Sequence, residues 1–221
     1  MKLLTDGGSN PKTAKSTGYG YLTGILHLAP HTQSGYQVCP SATEGCSTAC
    51  LYFQGRGRMN TVQEARIRKT RMFFENRAGF MADLEKDIAS IVRRADKNNL
   101  KPCVRLNGTS DLRWERTGIM EKFPNVTFYD YTKIKNRKRL PKNYSLTFSR
   151  SEATTHDEWR KAIDDGMNVA VVFRDAMPES WLGVPVIDGT THDLRFLDPK
   201  PCIVGLTAKG SAKKDTSGFV V

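Results

Sequence analysis

From Cys103 onward the chain is a series of short apolar runs, each ending in small or polar residues, and this rhythm limits the fold more than any other feature. The runs are Cys103-Val104-Arg105-Leu106, Val126-Thr127-Phe128-Tyr129, Tyr144-Ser145-Leu146-Thr147-Phe148, Val169-Ala170-Val171-Val172-Phe173, Pro185-Val186-Ile187 and Cys202-Ile203-Val204-Gly205-Leu206. Each has the length and β-branched or aromatic content of a short buried strand. Helical segments lie between several of them. One runs from Leu112 to Lys122; another, Thr155 to Asp165, has Thr155-x-x-Glu158 as a capping box, Trp159, Ala162 and Ile163 facing inward, and Gly166 as terminator. Strand, helix, strand alternation predicts parallel strands joined by crossovers.

The N-terminal half supplies a cover for such a sheet. Phe80, Leu84, Ile88, Ile91 and Ala95 recur at three- and four-residue spacing, which predicts an amphipathic helix closed by Asn98-Asn99. Thr61-x-x-Glu64 has the form of a capping box and predicts the start of an earlier helix. Tyr19 to Ala29 reads as a strand or hairpin ended by Pro30, and the Gly/Ser/Thr/Lys-rich residues 5–18 as irregular. Counting the Tyr19 segment, about six to seven strands are expected, in an α/β fold whose parallel strands form a partial (β/α) barrel; an open doubly wound sheet is the other arrangement. A length of 221 residues with 38% hydrophobic content fits one domain spanning 1–221, with a cysteine-rich loop at 31–58 and a basic loop at 133–142.

Three of the five cysteines, Cys39, Cys46 and Cys50, fall within twelve residues. The composition reads as cytosolic, since no apolar run has the length of a signal-peptide core or a membrane span. In a reducing compartment such a cluster of thiols points to metal rather than to disulfides. The C-x6-C-x3-C spacing lacks the second cysteine pair that closes a zinc ribbon, and three thiolates fit an iron–sulfur cluster with one open iron. Zinc, or free and redox-sensing thiols, are the alternatives. Cys103, Cys202, His31 or an exogenous molecule is left as the fourth ligand. Cys103 and Cys202 start their predicted strands, so at ~3.3 Å per residue they should lie about 13–17 Å from the carboxyl ends and serve as core thiols.

The carboxyl ends of parallel strands are where ligands gather, and here they carry Asn107-Gly108-Thr109-Ser110-Asp111, Asp130-Tyr131-Thr132-Lys133, Ser149-Arg150-Ser151, Arg174-Asp175, Asp188-Gly189-Thr190 and Thr207-Ala208-Lys209-Gly210. Asn107, Asp111, Asp130 and Asp188, with Asp175 and His192, are the candidates for acid–base work if they converge. Asp and Asn after strands also serve as turn and capping residues. No nucleophile elbow, phosphate-binding P-loop or dinucleotide fingerprint is present.

With 34 Lys and Arg against 23 Asp and Glu, the net charge of +11 favours a polyanionic partner, nucleic acid or an anionic substrate. Two basic runs concentrate it. Arg56, Arg58, Arg66, Arg68, Lys69 and Arg71 follow the cysteine loop, and Lys133, Lys135, Arg137, Lys138, Arg139 and Lys142 follow a strand end. From these, Arg56, Arg58, Arg68, Lys135, Arg137, Lys138 and Arg139 are the candidate phosphate contacts.

Read together, Cys39 to Leu51 with Gly55-Arg56-Gly57, Val104 to Asp111, Phe128 to Lys133, Asn168 to Arg174 and Asp193 to Pro199 resemble a phage protein family, the gene-product-eighty-eight type, over nearly the whole chain. The resemblance implies a phage or prophage origin, a host bacterial cytoplasm and a cysteine-rich site. More distantly, the layout looks like radical S-adenosylmethionine enzymes, in which a three-cysteine loop after the first strand of a partial barrel holds a [4Fe–4S] cluster. Cys39, Cys46 and Cys50 match those ligands, although that family uses C-x3-C-x2-C with an aromatic residue where this chain has Ala49. Asn107-Gly108-Thr109 is the loose counterpart of its Gly-Gly-Glu motif and the candidate contact for S-adenosylmethionine. The expectation is thus an iron–sulfur protein with a radical-SAM-like partial barrel that acts on or binds nucleic acid or nucleotides; the alternative is a metal-stabilised nucleic-acid-binding protein without enzymatic activity.

Overall fold

Each predicted run becomes a strand of one sheet in the computed structural model, which describes residues 1–6 and 15–221. In chain order the strands are β1 (Leu4–Asp6), β2 (Tyr21–Leu26), β3 (Lys101–Arg105), β4 (Thr127–Thr132), β5 (Tyr144–Ser149), β6 (Asn168–Phe173), β7 (Ser180–Trp181), β8 (Val184–Asp188) and β9 (Ile203–Thr207). The helices are α1 (Glu44–Thr48), α2 (Asn60–Glu75), α3 (Arg77–Lys97), α4 (Ile119–Lys122) and α5 (His156–Asp164), with short 3-10 turns between. No helix among the described residues is long and apolar enough to cross a membrane.

The sheet order is β1-β2-β3-β4-β5-β6-β9-β8-β7, parallel throughout except for the antiparallel edge strands β1 and β7. From β2 to β6 every crossover advances one place in the same direction. Right-handed crossovers of that kind put all their connections on one face. That is where the helices are. Phe80, Leu84, Ile88 and Ile91 of α3 pack with Leu26, Val104 and Phe128, and Trp159 and Ala162 of α5 pack with Phe148, Val169, Val171 and Ile203. Burial of side chains of this size contributes roughly 1.5–3 kcal/mol each.

The opposite face carries no helix among the described elements. Thr23, Cys103, Arg105, Tyr129 and Tyr131 project there by strand alternation, and Leu194 and Phe196 cover part of it, with the Phe196 ring 5.0 Å from Tyr21 and 5.4 Å from Tyr129. Cys103 is fully buried against Thr23, and Cys202, just before β9, is 1% exposed. The two faces therefore differ in cover: one is packed by helices, the other carries smaller clusters around Tyr129 and Val204 and leads up to the strand ends.

Several expectations are corrected in detail. The sheet has nine strands among the described residues rather than six or seven. One addition, β1, comes from the stretch expected to be irregular; it exists because it pairs with β2 and because Asp87 of α3 accepts the N–H groups of Leu3 and Leu4 at 2.6 and 2.8 Å. The expected irregular residues 7–14 lie outside the described residues. Thr155 forms its capping box, but α2 starts at Asn60 with Met59 as N-cap, so Thr61 sits inside the helix and caps nothing. Leu112 to Lys122 is split into a 3-10 turn at Trp114–Arg116 and the single turn of α4.

Candidate metal centre

The cysteine loop is built by local turns and then bolted to the strand ends. After β2, His31 takes a left-handed conformation (φ 50°) and its carbonyl accepts the Val38 N–H at 3.3 Å, a reversal that brings Cys39 back over the sheet. The Val38 carbonyl then accepts the Asp111 N–H at 2.8 Å, tying this turn to the loop after β3. Cys46 sits on α1, whose N-cap Thr43 accepts the Cys46 N–H. Glu152, just past β5, accepts from the Thr43 hydroxyl at 2.8 Å and from the Gly45 N–H at 2.7 Å. Gly45 admits that approach because it has no side chain: a Cβ there would lie 2.7 Å from Cβ of Phe219. Gly108 plays the same part after β3, donating its N–H to the Leu26 carbonyl at 3.0 Å where a Cβ would meet that oxygen at 2.6 Å.

These constraints bring Cys39, Cys46 and Cys50 to one cavity of about 220 Å³ at the carboxyl ends of β2 to β5. His31, Asn107, Gly108, Thr109, Asp111 and Lys133 line it, and Arg105 and Tyr131 reach it from the helix-free face. All five cysteines are free thiols, and neither Cys103 nor Cys202 reaches the cavity. Burial pushes the Cys39 thiol up to about 12, with Cys50 and Cys46 adding to the rise. Cys50 is raised by burial and by Cys46, against the opposing pull of Arg66 and Lys133. Among the described residues no three His, Cys, Asp or Glu side chains converge closely enough to enclose a single metal ion.

Arg66 of α2 has an unusual position beside Cys50. Its guanidinium lies 5.4 Å from the Tyr52 ring, Nη1 is buried with no hydrogen-bond partner, and the groups that favour its charge are Tyr52 and Cys50 rather than a carboxylate. His27 nearby is held neutral, its pKa pushed down to about 3 by burial and by Arg66, Arg105 and Lys69.

The catalytic candidates separate. Asp111 lines the cavity, where its carboxylate accepts from the Thr132 hydroxyl at 2.8 Å and the Lys133 N–H at 2.7 Å. The Asn107 side chain is a loop organiser: its Oδ1 accepts from Ser110 at 2.9 Å, Leu112 N–H at 2.9 Å and the Trp114 indole at 3.1 Å, and its Nδ2 donates to the Leu112 carbonyl at 3.0 Å. Asp130 points to the helix side of the sheet, 1% exposed, and accepts from Asn107 N–H at 2.7 Å and the Tyr144 hydroxyl at 2.9 Å; burial raises it to about 7. Asp188 lies outside the cavity and closes a turn, accepting from the Thr190 N–H at 2.7 Å and hydroxyl at 2.6 Å.

Among the basic candidates, Arg56, Arg58, Arg68, Lys138 and Arg139 are exposed, and Lys135 is exposed but pairs with Glu158 at 2.5 Å. Arg137 is corrected: its side chain is fully buried, ion-paired to Glu115 and hydrogen-bonded to Thr132, so it is an internal strut rather than a phosphate contact. The sequence reading missed Arg105 as a site residue. The available signal was a charge inside a run otherwise fit for a buried strand.

A family model described as gene product 88 matches residues 2–221 of the chain. Neither a curated protein nor a solved structure matches it.

Proposed function

The chain belongs to the gene product 88 family, and from that premise we propose that it is an iron–sulfur protein whose cluster is held by Cys39, Cys46 and Cys50, and that it acts on or binds nucleic acid or nucleotides. The observation that carries the reading is the meeting of three thiols at one cavity over the strand ends, with the Arg66 guanidinium behind them favoured by Tyr52 and the Cys50 thiol rather than by a carboxylate. A half-buried guanidinium without an acid is costly unless an anion stands beside it. Thiolates bound to a cluster supply that anion, and Lys133 on the cavity wall adds a second cation. Three cysteines without a second pair to close a tetrahedral site suit a cluster with one open iron better than a single zinc. A [4Fe–4S] cluster held by Cys39, Cys46 and Cys50 would supply one-electron chemistry there.

The rest of the reading concerns what the protein itself does. The singly wound order β2 to β6, with helices on one face, supports a radical-SAM-like partial barrel whose helix-free side faces the ligand. Gly108 and Thr109, with the Asn107 backbone, form the cavity edge on which S-adenosylmethionine would rest. Asp111 fixes the Lys133 backbone, and the rings of Tyr131 and Phe219 line part of the cavity. Exposed Arg56, Arg58, Lys138 and Arg139 support phosphate contact outside the cavity, and they equally support a cluster-stabilised nucleic-acid-binding protein without enzymatic activity.

Anaerobic purification followed by iron, sulfide and S-adenosylmethionine-binding measurements tests this. A protein with iron and sulfide that binds the cofactor supports the enzymatic form. One with iron that ignores the cofactor leaves the binding form, and one without iron ends both.

A further inference from the structure

Arg105 ends β3 on the helix-free face, and its side chain, 17% exposed, is held in an unusual way. Nη1 donates to Asp193 at 3.0 Å, and the guanidinium carbon lies 4.9 Å from the centre of the Tyr131 ring, so the plane is fixed from two sides. Nε is buried with no partner. Lys133 reaches the same cavity, where its ammonium donates one hydrogen bond to the Ser149 hydroxyl at 2.7 Å and has two further N–H donors.

The carboxylates nearby are already engaged. Asp111 accepts from Thr132 and from the Lys133 N–H, and Asp193 takes Arg105 and, at 3.4 Å, the Tyr129 hydroxyl. His27 stays neutral. Among the described residues the cavity thus presents two cations and no uncommitted acid, and a pre-aligned guanidinium fork is the group best suited to a planar or tetrahedral oxyanion.

We propose that the cavity takes its ligand by an oxyanion, a phosphate or a carboxylate, held between Arg105 and Lys133. The inference rests on reading this cavity as the ligand site, and it names the chemistry of what enters. Arg105 and Lys133 are then binding residues, while Asp193 and Tyr131 position the guanidinium.

Titration calorimetry on the full chain, purified without oxygen and kept in chloride buffer, tests it with inorganic phosphate in one arm and acetate in the other. Saturable binding is expected in at least one arm, and the preferred arm identifies the oxyanion. The double variant Arg105→Gln with Asp193→Asn keeps a neutral hydrogen-bonded pair and should weaken that binding about tenfold or more, given the worth of a hydrogen bond to a charged group. Lys133→Met should weaken it as well, and decides the matter if circular dichroism shows the double variant unfolded. Absence of saturable binding in both arms, or unchanged affinity in the variants that fold, overturns the proposal. Iron content is read on the same samples. Oxyanion binding without iron removes the cluster and leaves this site standing; iron without oxyanion binding does the reverse.

Discussion

The network around Asp130 on the helix side of the sheet and the cavity beneath the cysteines at the strand ends adjoin at Asn107 and Asp111, yet they treat buried polar groups in opposite ways. On the helix side Asp130, Asn107, Tyr144, Arg137 and Glu115 hold one another through hydrogen bonds and ion pairs. At the strand ends Arg105 keeps a buried Nε and Arg66, beside Cys50, a buried Nη1 with no hydrogen-bond partner among the described residues, and burial raises the Cys39 and Cys50 thiols. A completed network stabilises the fold. Buried groups without a partner call for an explanation, and a ligand at the cavity is the one proposed above for Arg66 and Arg105.

The comparison breaks first at Arg137. Arg137→Ala should cost about 3–5 kcal/mol, because it removes a buried cation and leaves the Glu115 carboxylate, 9% exposed, with only the longer contact to Arg113 at 3.8 Å. Urea unfolding checks this, and a loss below about 1 kcal/mol would make the residue a surface cation after all. Asp130→Ala should cost about 2–5 kcal/mol by leaving the Asn107 N–H and Tyr144 hydroxyl unsatisfied, measured in the same way.

Smaller but more specific is the pH dependence of Asp130. Its carboxyl is raised from 3.8 to about 7 in the fold, so the folded state holds the proton more tightly. The associated stability is fully present below about pH 4 and is lost as pH rises toward 7, with a slope of at most about 1.4 kcal/mol per pH unit. Asp130→Asn should flatten that part of the curve while leaving the contribution of Asp198, raised to about 6 by burial, in place. Superimposable curves for wild type and variant between pH 4 and 7 would contradict the assignment.

Much of this division was hidden in the sequence for physical reasons. The continuous apolar run Val169 to Phe173 and the capping box at Thr155 are local, and both survive into the structure. β1 depends on pairing with β2 and on Asp87, contacts more than eighty residues away for the latter, so its three residues carry no signal of their own. Cys39, Cys46 and Cys50 were legible as a group because they are close in sequence. Arg137 looked like its neighbours Lys138 and Arg139 because nothing local shows that Glu115 will meet it. Asn107 and Asp130 were legible as strand-end residues, but which face each one turns to follows from the register of β3 with β4.

The smallest effect sharpens the outer surface. If exposed cations contact phosphates, replacing Lys138 and Arg139 with Ala should lower the salt slope of nucleic-acid binding by about 2, roughly one per lost contact, with stability unchanged. Binding that ignores these residues moves the contact elsewhere.

The central claim, that three thiolates complete the unfinished side of the molecule, is tested most directly by iron and sulfide analysis of the anaerobically purified chain beside Cys46→Ala. Wild type should be brown with about four irons per chain, and the variant should lose most of that iron while keeping its fold by circular dichroism. A colourless wild-type protein without iron, or a variant that retains the full complement, would contradict the account.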